Sequence, residues 1–313
     1  MRRQCLRRQS ISATNDFALA KARQSRVFII FIIFMGQKCK GGAIVFTLLD
    51  LVQPNNLAEA YQILSDKRNN TILGGCAFLK MSSKRIGTAI DLSNLSLSYI
   101  KEQSNFIEIG AMTSLRELET HPLFQKYFNG VLPKSVYNII GVQFRNVVTV
   151  GASVYAKYGF SDVITALLVL DTEVELYKGG RMPLVDFLNR PHEKDILVKL
   201  WIKKNNRQAA YQNLRKSASD YAVLTVAVSK LEDQWTVVVG ARPSKAAIAV
   251  KASEVLSKGN LSVAEIEEAA QKAAEELSFG TNRRGTSEYR KALCQVLVKR
   301  GIMEVLNANQ RDG

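Results

Sequence analysis

Histidine and paired cysteines are scarce in this chain of 313 residues, and their scarcity excludes several kinds of site. The chain has only two histidines, His121 and His192, which is too few to favour a histidine-based metal site or catalytic triad. The four cysteines form no CxxC pair, and their spacing fits neither zinc nor iron–sulfur ligation. We therefore predict no metal site, and we infer a reducing, cytoplasmic setting without a disulfide framework.

The sequence also lacks the common nucleotide-binding fingerprints. Neither G-x-G-x-x-G nor G-x-x-x-x-G-K-[ST] is present, which excludes a Rossmann fingerprint and a P-loop. The chain is long enough for about two domains. Its content of 47% hydrophobic and 23% charged residues is typical of globular proteins with well-formed cores.

Charge is unevenly distributed along the chain. The formal net charge is +15, and the first forty residues supply +8 of it, because they hold nine basic side chains against the single acid Asp16. The remaining excess is mild, and no basic run there is interleaved with aromatic residues, so we predict no nucleic-acid binding. The nine basic residues are Arg2, Arg3, Arg7, Arg8, Lys21, Arg23, Arg26, Lys38 and Lys40.

The first 44 residues combine this basic stretch with the apolar run VFIIFIIFM at residues 27–35. The pair resembles a signal peptide, but no A-x-A-like cleavage site follows, and nine apolar residues are too few to span a bilayer. Three alternatives stay open: a misassigned start near Met35 or a disordered extension, a membrane-targeting segment, or a structural arm. We expect ordered structure to begin near Val45, and we do not expect a membrane partner.

From residue 45 to residue 204, strands and helices mix without the regular alternation of a doubly wound sheet. Asn56 is placed to cap a first helix, Ser114 and Glu117 form a capping box before another, and Ser161 can begin an apolar helix. Apolar and β-branched segments predict strands at residues 46–52, 71–73, 89–92, 106–109 and 147–150.

A change of pattern near residue 205 marks a further domain of about 100 residues. Residues 222–228 and 235–239 predict an antiparallel hairpin, and Ser262 with Glu265 makes a second capping box. The last helix is predicted to carry one apolar face formed by Tyr289, Leu293, Val296 and Leu297. The predicted organisation is an extension over residues 1–44, domains over 45–204 and 205–306, and a tail over 307–313.

Two loops of small residues follow predicted strands, at residues 71–78 and 149–153. Without bulky side chains, their main-chain N–H groups can close on a diphosphate and form an anion-binding nest. Both loops are equally compatible with ordinary tight turns. Asp162, at the start of an apolar helix, can accept a hydrogen bond from a ribose or ribityl hydroxyl, or can simply favour the positive end of the helix.

Five segments, in order along the chain, resemble motifs of one known family. They are LGGCAFL (73–79), IGAMTSL (109–115), FRNVVTVGAS (144–153), SDVITALLVLD (161–171) and RGTSEYR (284–290) followed by VLV (296–298). Each is similar to a motif of the FAD-binding medium subunits of molybdenum hydroxylases, the xanthine dehydrogenase and carbon monoxide dehydrogenase flavoprotein family. Together they cover about residues 45–304.

The resemblance implies an α+β fold. It comprises a vanillyl-alcohol-oxidase-type FAD-binding domain of two α+β subdomains, then an α+β C-terminal domain in which helices accompany an antiparallel sheet. The cofactor-binding residues implied are Thr71, Ile72, Leu73, Gly74, Gly75, Cys76, Ala77, Phe78, Thr149, Val150, Gly151, Ala152, Ser153, Asp162, Leu197 and Lys216. The family's lysine before the last hairpin falls on Asn213 or, with a shifted register, on Lys216.

The resemblance further implies an oxidoreductase subunit of a hetero-oligomer in purine metabolism. Electrons would pass from [2Fe–2S] clusters on a small partner subunit through FAD to NAD⁺, while a molybdopterin-binding large subunit oxidises a purine-like heterocycle. No catalytic acid or base is then needed from this chain, because the redox chemistry belongs to the cofactor.

Departures from the family pattern leave rival interpretations open. Cys76-Ala77 stands where the family has Thr-Asp, and Gly151-Ala152-Ser153 stands where it has Gly-Gly-Asn. These changes favour, as the alternative, a non-catalytic scaffold subunit that has lost FAD binding. Two further rivals are a cell-wall precursor reductase of the same fold, against which the 284–290 segment argues, and a membrane or nucleic-acid protein defined by residues 1–40.

Overall fold

The structure is a computed structural model that describes residues 47–259 and 261–309. The sequence-based alternatives for residues 1–44 lie outside the described residues. The chain divides into two compact units, one ending at Leu95 and the other beginning at Ser96. Each unit is described by itself.

The first unit contains a three-stranded parallel sheet and one helix. Its strands are β1 (Thr47–Val52), β2 (Thr71–Leu73) and β3 (Arg85–Asp91), in the order β1-β3-β2. Helix α1 (Leu57–Asp66) begins where predicted, because the Asn56 side chain accepts a hydrogen bond from the amide of Glu59 at 2.9 Å. Short 3₁₀ helices follow β2 and β3, at Leu79–Met81 and Ser93–Leu95.

The second unit contains two antiparallel sheets. A five-stranded sheet has the order β4-β5-β8-β6-β7, with β4 (Ile100–Glu102), β5 (Phe106–Gly110), β6 (Thr172–Leu176), β7 (Gly180–Pro183) and β8 (Leu197–Lys203). A four-stranded sheet has the order β12-β11-β10-β9, with β9 (Gln208–Arg215), β10 (Ala222–Leu231), β11 (Gln234–Gly240) and β12 (Ala247–Ile248). The predicted hairpin is the β10–β11 pair, in which Leu231 faces Gln234.

Seven helices accompany the five-stranded sheet, together with a 3₁₀ helix at Phe128–Gly130. They are α2 (Leu115–Thr120), α3 (Pro122–Lys126), α4 (Val131–Tyr137), α5 (Val142–Val147), α6 (Val150–Tyr155), α7 (Asp162–Leu168) and α8 (Leu184–Asn189). The predicted capping box is present, since Ser114 and Glu117 each accept a hydrogen bond from the other's amide. Ser161 likewise caps α7, as predicted.

Three helices complete the C-terminal part: α9 (Val250–Leu256), α10 (Val263–Glu276) and α11 (Ser287–Asn309). The capping box of Ser262 and Glu265 begins α10 as predicted. Helix α11 packs on β9, β10 and α10, and its apolar side chains join one core with those strands. It continues to Asn309, so residues 307–309 belong to the helix rather than to the predicted tail.

Two local predictions were wrong. Residues 147–150 form no strand, because α5 ends at Val147 and α6 begins at Val150, with the Thr149 side chain capping α6. Tyr289 and Val296 lie on the exposed side of α11, at 49% and 45% exposure, rather than on its packed face. The packed face consists of Arg290, Cys294, Leu297, Val298, Ile302 and Val305.

Polar contacts bind the two sheets of the second unit into one body. Arg207 donates to the Asp171 carboxylate at 2.9 Å and to the Ser229 hydroxyl at 3.1 Å. The hydroxyls of Thr165 and Thr225 lie 3.1 Å apart in the buried core. These contacts cross the boundary predicted near residue 205. In the part of the chain described, no helix is both long and apolar enough to cross a membrane.

Candidate functional site

The loop after β2 presents unused main-chain donors. The amides of Gly74, Gly75 and Ala77 donate no hydrogen bond to another described residue. Gly75 (φ 86°) and Cys76 (φ 56°) adopt positive φ, and Phe78 returns to the right-handed helical region. Changes of this kind between left- and right-handed conformations turn neighbouring N–H groups toward a common anion. This loop therefore has the backbone form of an anion-binding nest, and a diphosphate at residues 71–78 stays a prediction.

Cys76 takes up a packing role within this loop. Its side chain is buried and joins a small core with Leu51, Leu73, Ile86 and Ala89. A thiol behaves in such a core as a small apolar group. The Cys76 side chain thus packs the loop against the sheet of the first unit.

The second predicted loop has its main-chain donors already engaged. The amide of Val150 donates to the Thr113 carbonyl at 2.8 Å and that of Gly151 to the Ala111 carbonyl at 2.9 Å. The amides of Ala152 and Ser153 donate to the Thr149 hydroxyl and carbonyl, at 3.2 Å and 3.1 Å. Four successive N–H groups are therefore satisfied within the chain. Residues 150–153 therefore offer no nest of free amides, and a cofactor contact at residues 149–153 stays a prediction from resemblance.

Two of the family-like segments, 109–115 and 144–153, instead hold each other in place. Beside the bonds from Val150 and Gly151, the amide of Leu115 donates to the Val148 carbonyl at 2.9 Å. A side chain at Gly151 would meet Ala111, since a Cβ built there lies 2.6 Å from the Ala111 carbonyl oxygen. Small residues are needed here because two backbone segments approach closely.

Asp162 is buried and bound to residues of the C-terminal sheet. Its Oδ1 accepts from the Tyr211 hydroxyl and from Nη2 of Arg215, each at 2.5 Å. Burial raises the pKa of the Asp162 carboxyl, and the Arg215 charge and the Tyr211 hydrogen bond oppose that rise. Sequence reasoning missed Tyr211 and Arg215, because they lie 49 and 53 residues away in a segment without a recognised motif.

The last two predicted residues lie at the ends of strands. Leu197 is buried at the start of β8, and its neighbour Val198 accepts a hydrogen bond from the amide of Ala111. Ala111 thus connects the start of β8 with Gly151. Lys216 directly follows Arg215 at the end of β9, and its Nζ lies 3.4 Å from the Arg283 carbonyl oxygen. The structure therefore links residues 149–153 with the start of β8, and Asp162 with the end of β9.

The family-like segment 284–290 has a structural role near the end of β9 and the start of β10. Arg284 donates two hydrogen bonds to the Asp220 carboxylate, at 2.9 Å and 3.2 Å. Arg290 is fully buried, and its Nε donates to the Val223 carbonyl at 2.9 Å. Arg284 thus secures the turn between β9 and β10, and Arg290 secures the start of β10. Across residues 47–259 and 261–309, no group of three or more His, Cys, Asp or Glu side chains could hold a metal ion.

Family comparisons match nearly all of the described chain. A model described as the FAD binding domain in molybdopterin dehydrogenase matches residues 46–202, half of the chain. A second, described as the CO dehydrogenase flavoprotein C-terminal domain, matches residues 209–305.

Similar proteins agree with these matches. The nicotine 6-hydroxylase medium subunit of Paenarthrobacter nicotinovorans is 26% identical over 80% of this chain and 95% of its own length. Carbon monoxide dehydrogenase from Hydrogenophaga pseudoflava has the same fold, with a TM-score of 0.77 at 20% identity over 83% of this chain and 98% of that chain. Quinoline 2-oxidoreductase from Pseudomonas putida 86 gives a TM-score of 0.76 at 20% identity, covering 84% and 98%. This chain belongs to the family of FAD-binding medium subunits of molybdenum hydroxylases.

Proposed function

We propose that this chain binds FAD and conducts electrons from [2Fe–2S] clusters on a partner subunit to NAD⁺. The observation that carries the proposal is the loop after β2, where the amides of Gly74, Gly75 and Ala77 have no acceptor in the described chain. Free N–H groups on residues without bulky side chains are suited to a diphosphate. Residues 71–78 would hold this part of FAD.

The remaining predicted residues would contribute by other means. Asp162 offers a carboxylate oxygen to a hydroxyl of FAD, and Lys216 offers a positive charge at the end of β9. Leu197 and residues 149–153 form packed backbone around Ala111, and we propose that they provide a fixed surface rather than main-chain donors.

The chemistry of the proposed function belongs to the cofactor. When bound, FAD accepts electrons one at a time and releases them as a pair to a hydride acceptor. The chain's own residues bind and orient the cofactor. No proton-transfer residue is required of the chain, and none is proposed.

The partners are proposed from the family and its named relatives. A molybdopterin-binding large subunit and a [2Fe–2S] small subunit would complete a cytoplasmic hetero-oligomer of the xanthine dehydrogenase type. Two of the similar proteins are named for nitrogen heterocycles, nicotine and quinoline, and the third is named for carbon monoxide; a nitrogen heterocycle, and within that class a purine, is our proposal. The proposed domain boundaries remain 45–204 and 205–306, beside the family matches at 46–202 and 209–305.

A second candidate is a scaffold subunit that no longer binds FAD. Two observations favour it: the buried Cys76 side chain, and the engaged amides of residues 150–153. The free amides of the first loop favour the FAD-binding alternative.

Anaerobic reduction of the assembled complex tests the proposal. The complex is purified with its partner subunits, its flavin is quantified, and its clusters are reduced with a heterocyclic substrate. We expect the flavin absorption band to bleach and added NAD⁺ to be reduced while the band returns. A complex with molybdenum and iron but no flavin would establish the scaffold alternative. Flavin that bleaches but does not reduce NAD⁺ would refute only the acceptor.

A further inference from the structure

The carboxylate of Asp162 differs from the other buried carboxylates in how its oxygens are used. Both donors that reach Asp162, from Tyr211 and Arg215, converge on Oδ1. No hydrogen bond from another described residue reaches Oδ2. The donors from other described residues thus all bind one oxygen of this buried carboxylate, and the remaining donor is the main-chain amide of Asp162 itself.

The remaining four buried carboxylates among the described residues use both oxygens. Glu119 forms a bidentate pair with Arg145, whose Nε donates to Oε2 at 2.7 Å and whose Nη2 donates to Oε1 at 3.2 Å. Asp195 accepts main-chain amides on both oxygens, and Asp91 accepts from Gln53 and from the Ser93 amide. Glu108 contacts Gln103 through Oε1 and Lys199 through Oε2.

This difference bears on what the Asp162–Arg215 pair does. Arginine and carboxylate pair most strongly through two parallel hydrogen bonds, as Arg145 and Glu119 do. A contact that only joined α7 to β9 would be expected to take that form. The single-oxygen contact of Asp162 instead leaves acceptor capacity on Oδ2, which neither Arg215 nor Tyr211 reaches.

Arg215 is itself held rigidly. Its Nη1 donates to the Asp220 carbonyl at 2.6 Å and its Nε to the Asn213 side chain at 3.2 Å. All three guanidinium nitrogens are therefore engaged, which fixes the direction from which Nη2 approaches Asp162. Tyr211 and Arg215 are four residues apart on β9, so their side chains project from the same face of the strand.

Both partners also favour the charged form of the carboxylate. A buried carboxylate without a partner takes up a proton, and a protonated oxygen is a poorer acceptor. Arg215 supplies a compensating charge. Burial raises the pKa of the Tyr211 hydroxyl well above its usual value, so Tyr211 remains a hydrogen-bond donor at any ordinary pH.

We propose that Tyr211 and Arg215 are positioning residues that keep Asp162 ionised and direct its Oδ2 toward a hydroxyl group of FAD. The proposal rests on the proposed function, because FAD is the ligand that Asp162 would contact. It adds a role for two residues of the C-terminal sheet, neither of which is assigned to FAD binding by its own motif.

The test measures FAD affinity against pH for Arg215→Met, Tyr211→Phe and Asp162→Asn in the purified full chain, by quenching of flavin fluorescence. Tyr211 and Arg215 are the titratable groups that contact Asp162 in the described chain; Asp220 and Arg284 lie beyond Arg215. We expect the midpoint for loss of FAD at acidic pH to move upward in Arg215→Met. The affinity of Arg215→Met for FAD near neutral pH should fall about tenfold, which is equivalent to loss of one hydrogen bond to a charged group.

Arg207→Met is the matched control. Arg207, a buried arginine directly before β9, also pairs with an aspartate, but its partner is the exposed Asp171. We expect this variant to lose stability and to keep the wild-type pH profile. Arg215→Lys, which retains the charge, should restore the profile toward wild type. If Arg215→Met does not fold, Tyr211→Phe provides the measurement, with an expected loss of severalfold.

The outcomes separate the two proposals. Wild-type chain that binds no FAD at any pH overturns the proposed function and this inference with it. Wild-type chain that binds FAD, with Arg215→Met showing an unchanged pH profile or one matching Arg207→Met, overturns the positioning role alone. Unchanged affinity in Asp162→Asn would do the same.

Discussion

Gly151 lies so close to Ala111 that any side chain on Gly151 would overlap Ala111. The Gly151 amide donates to the Ala111 carbonyl at 2.9 Å, and a Cβ on Gly151 would stand 2.6 Å from that oxygen and 2.7 Å from the Ala111 Cβ. This contact joins the start of α6 to the end of β5. It accounts for small residues in both family-like segments without any contact to a ligand.

Gly151→Ala is therefore expected to destabilise the fold. The obstructing atoms belong to the backbone of Ala111 and cannot rotate away, so α6 must shift, at a cost of about 1–3 kcal/mol. Thermal or denaturant unfolding measures the change. Gly141→Ala is the control, because a Cβ there meets only a flexible glutamine side chain at 3.6 Å. Equal stability of the two variants would show that the close approach is absent.

Gly75→Ala tests the loop after β2. Gly75 has φ 86°, so an alanine there costs about 1–2 kcal/mol of backbone strain and favours a different backbone conformation in the loop that carries the free amides. Gly259, with φ 102° and no atom within 4 Å of a built Cβ, offers the same backbone cost outside the site. We expect both alanine variants to lose similar stability, and only Gly75→Ala to lose FAD affinity. Equal loss of FAD in both variants would contradict the role of the loop.

Arg290→Met should destabilise the C-terminal part strongly. The buried guanidinium donates to the carbonyls of Val223, Gly280 and Gly285 and to the Asn282 side chain. Burial, and then the nearby Arg284 charge, lower the pKa of Arg290. Its removal takes a donor from all four acceptors, of which the Gly285 carbonyl and the Asn282 side chain keep another, and we expect a loss of about 3–5 kcal/mol in chemical denaturation.

Arg300→Met, on the exposed side of the same helix, is the matched control for Arg290→Met. A surface substitution of this kind should change stability by less than about 0.5 kcal/mol. A similar small effect at Arg290 would mean that its buried hydrogen bonds are replaced by water.

Cys294 is expected to resist alkylation in the folded protein. Burial raises the pKa of its thiol to about 12, so roughly one thiol in ten thousand is a thiolate at mildly alkaline pH. Mass spectrometry of iodoacetamide-treated protein, before and after unfolding, provides the measurement. Labelling of Cys294 within minutes in the native state would show that α11 opens readily.

The sequence predicted the elements whose signals are local. Capping boxes at Ser114 and Ser262 marked helix starts because the reciprocal hydrogen bonds involve residues only three apart. The hairpin of β10 and β11 could be predicted for the same reason, since its two strands are adjacent in the chain. The family itself followed from five ordered motifs, and the comparisons confirm it.

Long-range contacts explain the predictions that failed. The β-branched run at residues 147–150 favours a strand by propensity, but hydrogen bonds to Ala111 and Thr113 fix its end as the start of α6. Helix α11 has apolar residues on two sides, and only its packing on β9 and β10 determines which side is buried. The partners of Asp162 could not be predicted either, because Asp162 begins α7 whereas Tyr211 and Arg215 lie on β9, far along the chain.

The FAD content of this chain, purified together with its partner subunits, distinguishes a flavin-binding subunit from a scaffold. The chain is expressed with its partner subunits, purified without added flavin, denatured, and the released flavin is identified and quantified against protein. Free amides at Gly74, Gly75 and Ala77 predict close to one FAD per chain. A colourless chain within a fully assembled complex, which also fails to take up added FAD, would contradict the account and leave a scaffold subunit in its place.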